Sequence, residues 1–344
     1  ARGVRQTIRI LAALAEIARD PSLADAPGDL GILLRGVREI LDRPALRGIP
    51  LVGEERWRVV RLLAVDRVLR GSEKEALHQL RQLLFEIDAL VSMARATSEY
   101  RFAIPEVLDG PPQVVARGLV HPLIADAIPN VLHLEPAQRL LFLTGPNMAG
   151  KTTYIRACGV AVYLAHVGMG VPAEAFRFAP CDAIFTSIRT TDSVRGGISY
   201  FEAEALRART IADAVAGGLR ILAIMDEPFK GTNVKDAMDA SRAFLERLAA
   251  FQGSLFLVSS HLIEVAEPLL ASGAVACWHF EAQQTDLHLA FDFTIRPGVS
   301  GQRLGMRVLE EKGVLRVLDA ALAAREGLAP KDTPQRRMSR LGLH

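Results

Sequence analysis

Leu77, Leu80, Leu84, Ile87 and Val91 recur at steps of three and four residues. An α-helix turns once every 3.6 residues, so this spacing places them on one stripe. It predicts a long helix over residues 73–97. Val4, Ile8 and Leu11 begin a similar stripe, and residues 32–41 read as another short helix. Pro21, Pro27, Pro44 and Pro50 punctuate these segments, because proline lacks the N–H that a helix interior needs. Residues 1–110 are therefore expected to be an all-α region, with each stripe turned toward a helix-bundle core rather than a partner.

At Asp109-Gly110-Pro111-Pro112 the pattern changes. Short β-rich runs now alternate with helical stretches, as in a mostly parallel α/β sheet flanked by helices. Residues 140–144, 219–225 and 254–259 are the principal runs. Each ends in polar residues suited to the carboxyl edge of a sheet, where α/β proteins hold ligands. Residues 274–280 and 287–295 read as a strand pair, followed by a helix-rich stretch. The α/β domain is expected over residues 111–328. Residues 329–344 carry Lys331, Arg336, Arg337 and Arg340 and read as a basic, flexible, solvated tail.

Composition narrows the class. Half of the 344 residues are hydrophobic, enough for a sizeable core in one large and one smaller domain, or in two of middle size. The net charge of +2 does not by itself announce a nucleic-acid partner; what matters for phosphate is where the charge sits. Cys158, Cys181 and Cys277 form no C-x-x-C pair. They read as buried thiols of a reduced, cytoplasmic protein rather than as a zinc or redox site. No uninterrupted apolar run reaches the roughly 18 residues of a membrane span. The chain begins Ala-Arg-Gly, without Met or a signal-peptide layout, which fits a piece of a longer protein.

Gly145-Pro146-Asn147-Met148-Ala149-Gly150-Lys151-Thr152 fits G-x-x-x-x-G-K-[ST], between an apolar strand and a helical stretch over residues 153–167. In such a loop, backbone N–H groups and the helix N-terminus point at phosphates. Lys151 supplies charge to the β and γ phosphates, and the Thr152 hydroxyl is suited to Mg²⁺. The run Ile221-Leu222-Ala223-Ile224-Met225 ends in Asp226-Glu227. An acid there holds Mg²⁺ in P-loop ATPases, and a second acid beside it can activate the attacking water. His261, ending the next strand, reads equally as a γ-phosphate sensor and as an ordinary helix cap.

Together these motifs resemble the ATPase domain of the MutS proteins of DNA mismatch repair. The resemblance rests on Thr144 to Arg156 with its Pro-Asn-Met insert, and on residues 168–192 with Val171-Pro172-Ala173 and Ile184-Phe185-Thr186. It also rests on Gly197-Ile198-Ser199-Tyr200-Phe201-Glu202, on Asp226 to Asn233, on Ser260-His261, and on Pro297-Gly298-Val299-Ser300 to Gly305, with His121-Pro122 ahead of the first strand. It is strong over residues 115–315 and weaker over 1–110, which would be helical core and lever. It implies that Lys151 and Thr152 hold phosphate and Mg²⁺, Asp226 supports Mg²⁺, Glu227 activates water, and His261 faces the γ-phosphate. Gly145, Pro146, Asn147, Met148, Ala149, Gly150 and Thr153 would line the nucleotide. The family forms dimers with composite ATP sites, so Ser199 would reach the neighbour's γ-phosphate; read locally, it is equally an N-cap. Mismatched or branched double-stranded DNA and a downstream repair protein are the implied partners.

Departures accompany the match. The family's second loop glycine is Ala149 here, its Asp-Glu-Ile-Gly-Arg-Gly-Thr is Asp226-Glu227-Pro228-Phe229-Lys230-Gly231-Thr232, and its Ser-Thr-Phe is Ser199-Tyr200-Phe201. Where an aromatic that stacks on adenine is expected, the chain has Ala127 and Ile128, leaving Ile128 to pack on the base. The Phe-x-Glu wedge of mismatch-reading members has no counterpart; Phe244-Leu245-Glu246 falls in a predicted helix. Two functions compete: an ATP-driven dimeric DNA clamp, and a nucleotide-gated dimeric module that binds a protein instead of mismatches. A transport-type ATPase ranks behind both, since no Leu-Ser-Gly-Gly-like signature is present.

Overall fold

The computed structural model describes residues 2–50, 57–188, 200–271, 273–284, 289–302, 306, 309–310 and 312–327. Ser199 and residues 329–344 lie outside them. The chain divides into two compact units, residues 1–101 and 102–344. The division precedes the Asp109–Pro112 turn because Glu106 and Val107 pair in parallel with Arg177 and Phe178. Residues 102–110 thus go with the second unit.

The first unit holds α1 (Arg2–Arg19), α2 (Gly28–Leu41), α3 (Pro44–Arg47), α4 (Val59–Arg70) and α5 (Lys74–Glu99). Ile8 and Leu11 of α1, Val37 of α2, Leu62 of α4 and Leu80 of α5 meet in one buried cluster. Each such side chain contributes roughly 1.5–3 kcal/mol on leaving water. The α5 stripe does not stay buried to its end: Val91 is 49% exposed, and only Ala76 and Leu80 of this helix are fully buried. Glu73 is buried too, and its carboxylate accepts a hydrogen bond from Arg43 Nε at 2.7 Å. That bond offsets part of the cost of taking the charge out of water.

The second unit contains β1 (Glu106–Val107), β2 (Gln113–Leu119), β3 (Asn130–Leu134), β4 (Leu140–Thr144), α6 (Lys151–His166), β5 (Ala175–Ala179) and β6 (Ala183–Ser187). There follow α7 (Tyr200–Ala216), β7 (Ile221–Asp226), α8 (Val234–Ala250), β8 (Leu255–Ser259), α9 (Ala266–Leu270) and β9 (Val275–His279). The last elements are β10 (Ala282–Gln284), β11 (Leu289–Phe291), β12 (Arg296–Pro297) and α10 (Val314–Gly327).

Six strands form the main sheet in the order β12-β9-β4-β8-β7-β6, all parallel except β12 at the edge. A smaller sheet has the order β1-β5-β2-β3. The expected pairing of residues 274–280 with 287–295 is not what forms. β9 uses one edge on β4 and the other on Arg296–Pro297, while β11 pairs with β10.

The central strands are apolar up to their polar carboxyl-terminal residues because both faces are covered. Successive side chains point to opposite faces. Leu141, Leu143, Leu222, Ile224, Leu255 and Leu257 accordingly join α6 and the smaller sheet in one cluster. Leu140, Phe142, Ala223, Met225, Phe256 and Val258 join α7, α8 and α9 in the other. Cys158 and Cys277 are buried and Cys181 half-buried, all as free thiols. Among the described residues no helix is long and apolar enough to cross a membrane.

The register fixes the site. Leu143 and Asp226 both lie opposite Ser259, so β4, β8 and β7 end side by side, at the carboxyl edge where the loop after β4 begins.

Candidate nucleotide site

Residues 145–150 turn the chain from β4 into α6 through three positive-φ positions: Gly145 at 137°, Met148 at 70° and Gly150 at 102°. A side chain at Gly145 would bring its Cβ to 2.7 Å from the Phe280 carbonyl oxygen, so the close approach also demands glycine. Ala149 is not among the positive-φ residues and is buried. The departure from a second glycine therefore costs no backbone strain.

Lys151 is buried at the first position of α6, and its Nζ donates to the carbonyls of Gly145 at 2.8 Å and Pro146 at 3.1 Å. Burial lowers its pKa from the usual lysine value, opposed by the Glu227 and Asp226 carboxylates. Thr152 Oγ1 donates to Asp226 Oδ2 at 2.7 Å, and Ser259 Oγ donates to Asp226 Oδ1. The first turn of α6 and the end of β8 thus converge on the carboxylate at the end of β7. Hydroxyl and carboxylate oxygens are the hard donors Mg²⁺ selects. Among the described residues no group of three or more His, Cys, Asp or Glu could hold a metal. The donor set suits an ion that takes its remaining ligands from water and phosphate.

Glu227 has φ 50°, and its N–H donates to Ser259 O at 2.8 Å. His261 Nδ1 lies 3.4 Å from its Oε1, and Lys230 Nζ 3.7 Å from its Oε2. The hydrogen bond from His261 holds the Glu227 carboxyl below its usual pKa, against the effect of burial. Its counterpart raises the His261 pKa.

A cavity of about 360 Å³ opens over the loop. Of the residues expected to bind nucleotide, Ile128, Asn147, Met148, Gly150, Lys151, Thr152 and Thr153 line it, and Glu227 joins them. Gly145, Pro146 and Ala149 form the turn beneath. Asp226 reaches the site through Thr152, and His261 through Glu227.

Several residues here carry no signal in the sequence. Phe293 lines the cavity beside Gly150 at the start of α6, 44% exposed, with its ring 6.1 Å from that of Phe291. Asn130 places it: its Nδ2 donates to Phe293 O at 2.9 Å, and its Oδ1 accepts from Ile295 N at 2.8 Å. An aromatic side chain from far along the sequence therefore joins Ile128 in lining the cavity. Ser259 was legible as a polar strand end, but its bond to Asp226 was not.

Phe229 also departs from the family pattern, where glycine is usual. It keeps a positive φ of 64°, a cost of order 1–3 kcal/mol for such a residue. Its buried ring packs 6.2 Å from Phe201 and edge-on at 5.5 Å from Phe244, which offsets that cost.

The family model for MutS domain V matches residues 141–328. A DNA mismatch repair protein MutS from Natronomonas pharaonis is 31% identical over 286 residues, covering 81% of this chain and 32% of the relative. The chain thus spans about a third of the length of that relative.

Proposed function

The chain belongs to the MutS family, and from that premise we propose that it binds ATP with Mg²⁺, hydrolyses the γ-phosphate, and uses the cycle as half of a dimeric DNA clamp in repair. The observation that carries the reading is the junction of Thr152 with Asp226, directly beside Lys151 and Glu227 on one cavity. Phosphate oxygens take over the Lys151 ammonium from the Gly145 and Pro146 carbonyls, an exchange favoured by charge. Thr152 and Asp226 would hold Mg²⁺, which when bound would neutralise charge developing on the phosphates. Glu227, kept ionised by His261, accepts the proton of the attacking water. His261 then lies within one side chain of the γ-phosphate. Phe293 and Ile128 enclose the base.

The dimer, with Ser199 completing a neighbour's site, follows from the resemblance and is part of the same proposal. So are DNA and a downstream repair protein as partners, and a cytoplasmic location.

Two measurements test it. Phosphate release from the chain should fall about 10²–10⁴-fold in Glu227→Ala while nucleotide binding persists. Normal hydrolysis by that variant means that the base is misassigned. Fluorescence anisotropy on homoduplex, single-mismatch and four-way-junction DNA, with and without ATP at two salt concentrations, tests the clamp. ATP-sensitive binding that weakens with salt supports it. No binding to any DNA at low salt, with ATPase activity intact, points to the protein-interaction module instead.

A further inference from the structure

Glu204 is a carboxylate in α7 that the phosphate chemistry above does not use, yet it is only 7% exposed. Its Oε2 accepts the N–H of Gly231 at 3.1 Å. This amide directly follows Lys230 and lies four residues after Glu227 in the chain. Burial raises the Glu204 pKa above the usual carboxylate value, opposed by the Gly231 amide and by the cations of Lys230 and Arg207. A buried carboxylate committed to a backbone amide is a strong, directional tether.

The tethered loop needs one. Glu227 and Phe229 both sit at positive φ, a conformation that persists only where the surroundings over-determine it. Phe201 packs on Phe229. Gly231 lies so close to the first turn of α7 that a Cβ would fall 2.5 Å from Tyr200 Cδ1 and 2.8 Å from Phe201 N. The loop from Pro228 to Gly231 is therefore held against α7 by a ring contact, a backbone contact and the Glu204 carboxylate. At its other end the Glu227 N–H is fixed to Ser259 O.

We propose that Glu204 is a positioning residue for hydrolysis: by accepting the Gly231 amide, beside the Phe201–Phe229 ring contact, it fixes the loop that aims the Glu227 carboxylate into the cavity. This rests on the reading of Glu227 as the water-activating base. A displacement of about 1 Å at such a group costs on the order of 10²-fold in rate, so the tether acts on turnover and not on nucleotide affinity.

The experiment compares wild-type chain with Glu204→Ala, Glu204→Gln and Glu204→Asp. It reads kcat and KM for phosphate release, Kd for a fluorescent ADP analogue, and amide exchange of the peptide spanning residues 226–233. Glu204→Ala is expected to lower kcat about 10–100-fold, to leave Kd unchanged and to speed exchange in that peptide. Glu204→Gln, whose carbonyl still accepts, restores most of the turnover and protection. Glu204→Asp, one methylene short, behaves as Ala does and decides the matter if the Ala variant does not fold. Wild-type kcat in both Ala and Asp variants, or a loss confined to KM and Kd, overturns the proposal while the ATPase reading stands. No phosphate release from wild-type chain overturns both.

Discussion

Thr152 Oγ1 donates to Asp226 Oδ2 across 2.7 Å, tying the first turn of α6 to the carboxyl end of β7. Asp226 is held on its other oxygen by Ser259, so the carboxylate is oriented before any ion arrives. Oriented hydrogen-bonding partners tune metal sites strongly, and losing one typically costs 10–100-fold in affinity or activity. Thr152→Ala and Asp226→Asn should each raise the Mg²⁺ concentration for half-maximal phosphate release about 10-fold or more. Titration of Mg²⁺ at saturating ATP checks this; an unchanged midpoint in both variants removes Asp226 from the metal site.

Phe293 lines the cavity with a ring that is 44% exposed, and in the proposed ATP complex it faces the base. Base–aromatic stacking is worth about 1–3 kcal/mol. Phe293→Ala should therefore weaken ATP binding about 5–100-fold with little change in kcat at saturation. Binding of inorganic triphosphate should be untouched, because that ligand has no base to stack. Equal weakening for both ligands would show that Phe293 shapes the phosphate loop instead.

Gly231 has no room for a side chain beside Tyr200 and Phe201. Gly231→Ala should cost about 1–3 kcal/mol through overpacking, seen as a lower Tm by calorimetry. A melting curve identical to wild type would mean that the loop shifts freely, which would also weaken the case for Glu204 as its tether.

The Glu227–His261 pair makes stability depend on pH with a definite sign. The His261 pKa is raised from 6.5, so its contribution is fully present below about 6.5 and is lost as pH rises through the folded value. The Glu227 pKa is lowered from 4.5, so its contribution is present above about 4.5 and is lost as pH falls through the folded value. The two overlap between about pH 4.5 and 6.5. His261 is half-exposed, so solvent screening keeps the sum below about 1 kcal/mol. The difference in Tm between wild type and His261→Gln should peak in that window and shrink toward pH 8. A difference that grows with pH would contradict the pairing.

What was legible in the sequence is what local geometry dictates. The P-loop is eight consecutive residues, so its phosphate-binding turn, its glycines and its lysine can be read without knowing where the rest of the chain lies. The strand over residues 140–144 is observed at those bounds, and α5 extends little beyond the predicted 73–97. Apolar periodicity tracks burial: β4 is buried throughout, and the α5 stripe is buried at Leu80 and partly buried at Leu77, Leu84 and Ile87. Val91 is the instructive exception. It continues the stripe but stands in solvent among the described residues, because periodicity reports a face and not what covers it.

The remaining features depend on residues far apart in the chain. Asn130 and Ile295 are 165 positions apart, and no local pattern at either end announces that Phe293 will close the cavity. The partner of β9 was misread for the same reason: adjacency in sequence suggests a hairpin, while the parallel sheet places β4 on one edge and a two-residue strand on the other. Phe229 stands where the family pattern has glycine, and only the Phe201 and Phe244 rings explain how it is held. The sequence by itself determined the phosphate loop, the acidic strand end and the family, because these are contiguous and chemically constrained. Tertiary structure alone decided which hydroxyls orient Asp226, which aromatic lines the cavity and what holds Glu227, because each of those is a contact made after distant strands come into register.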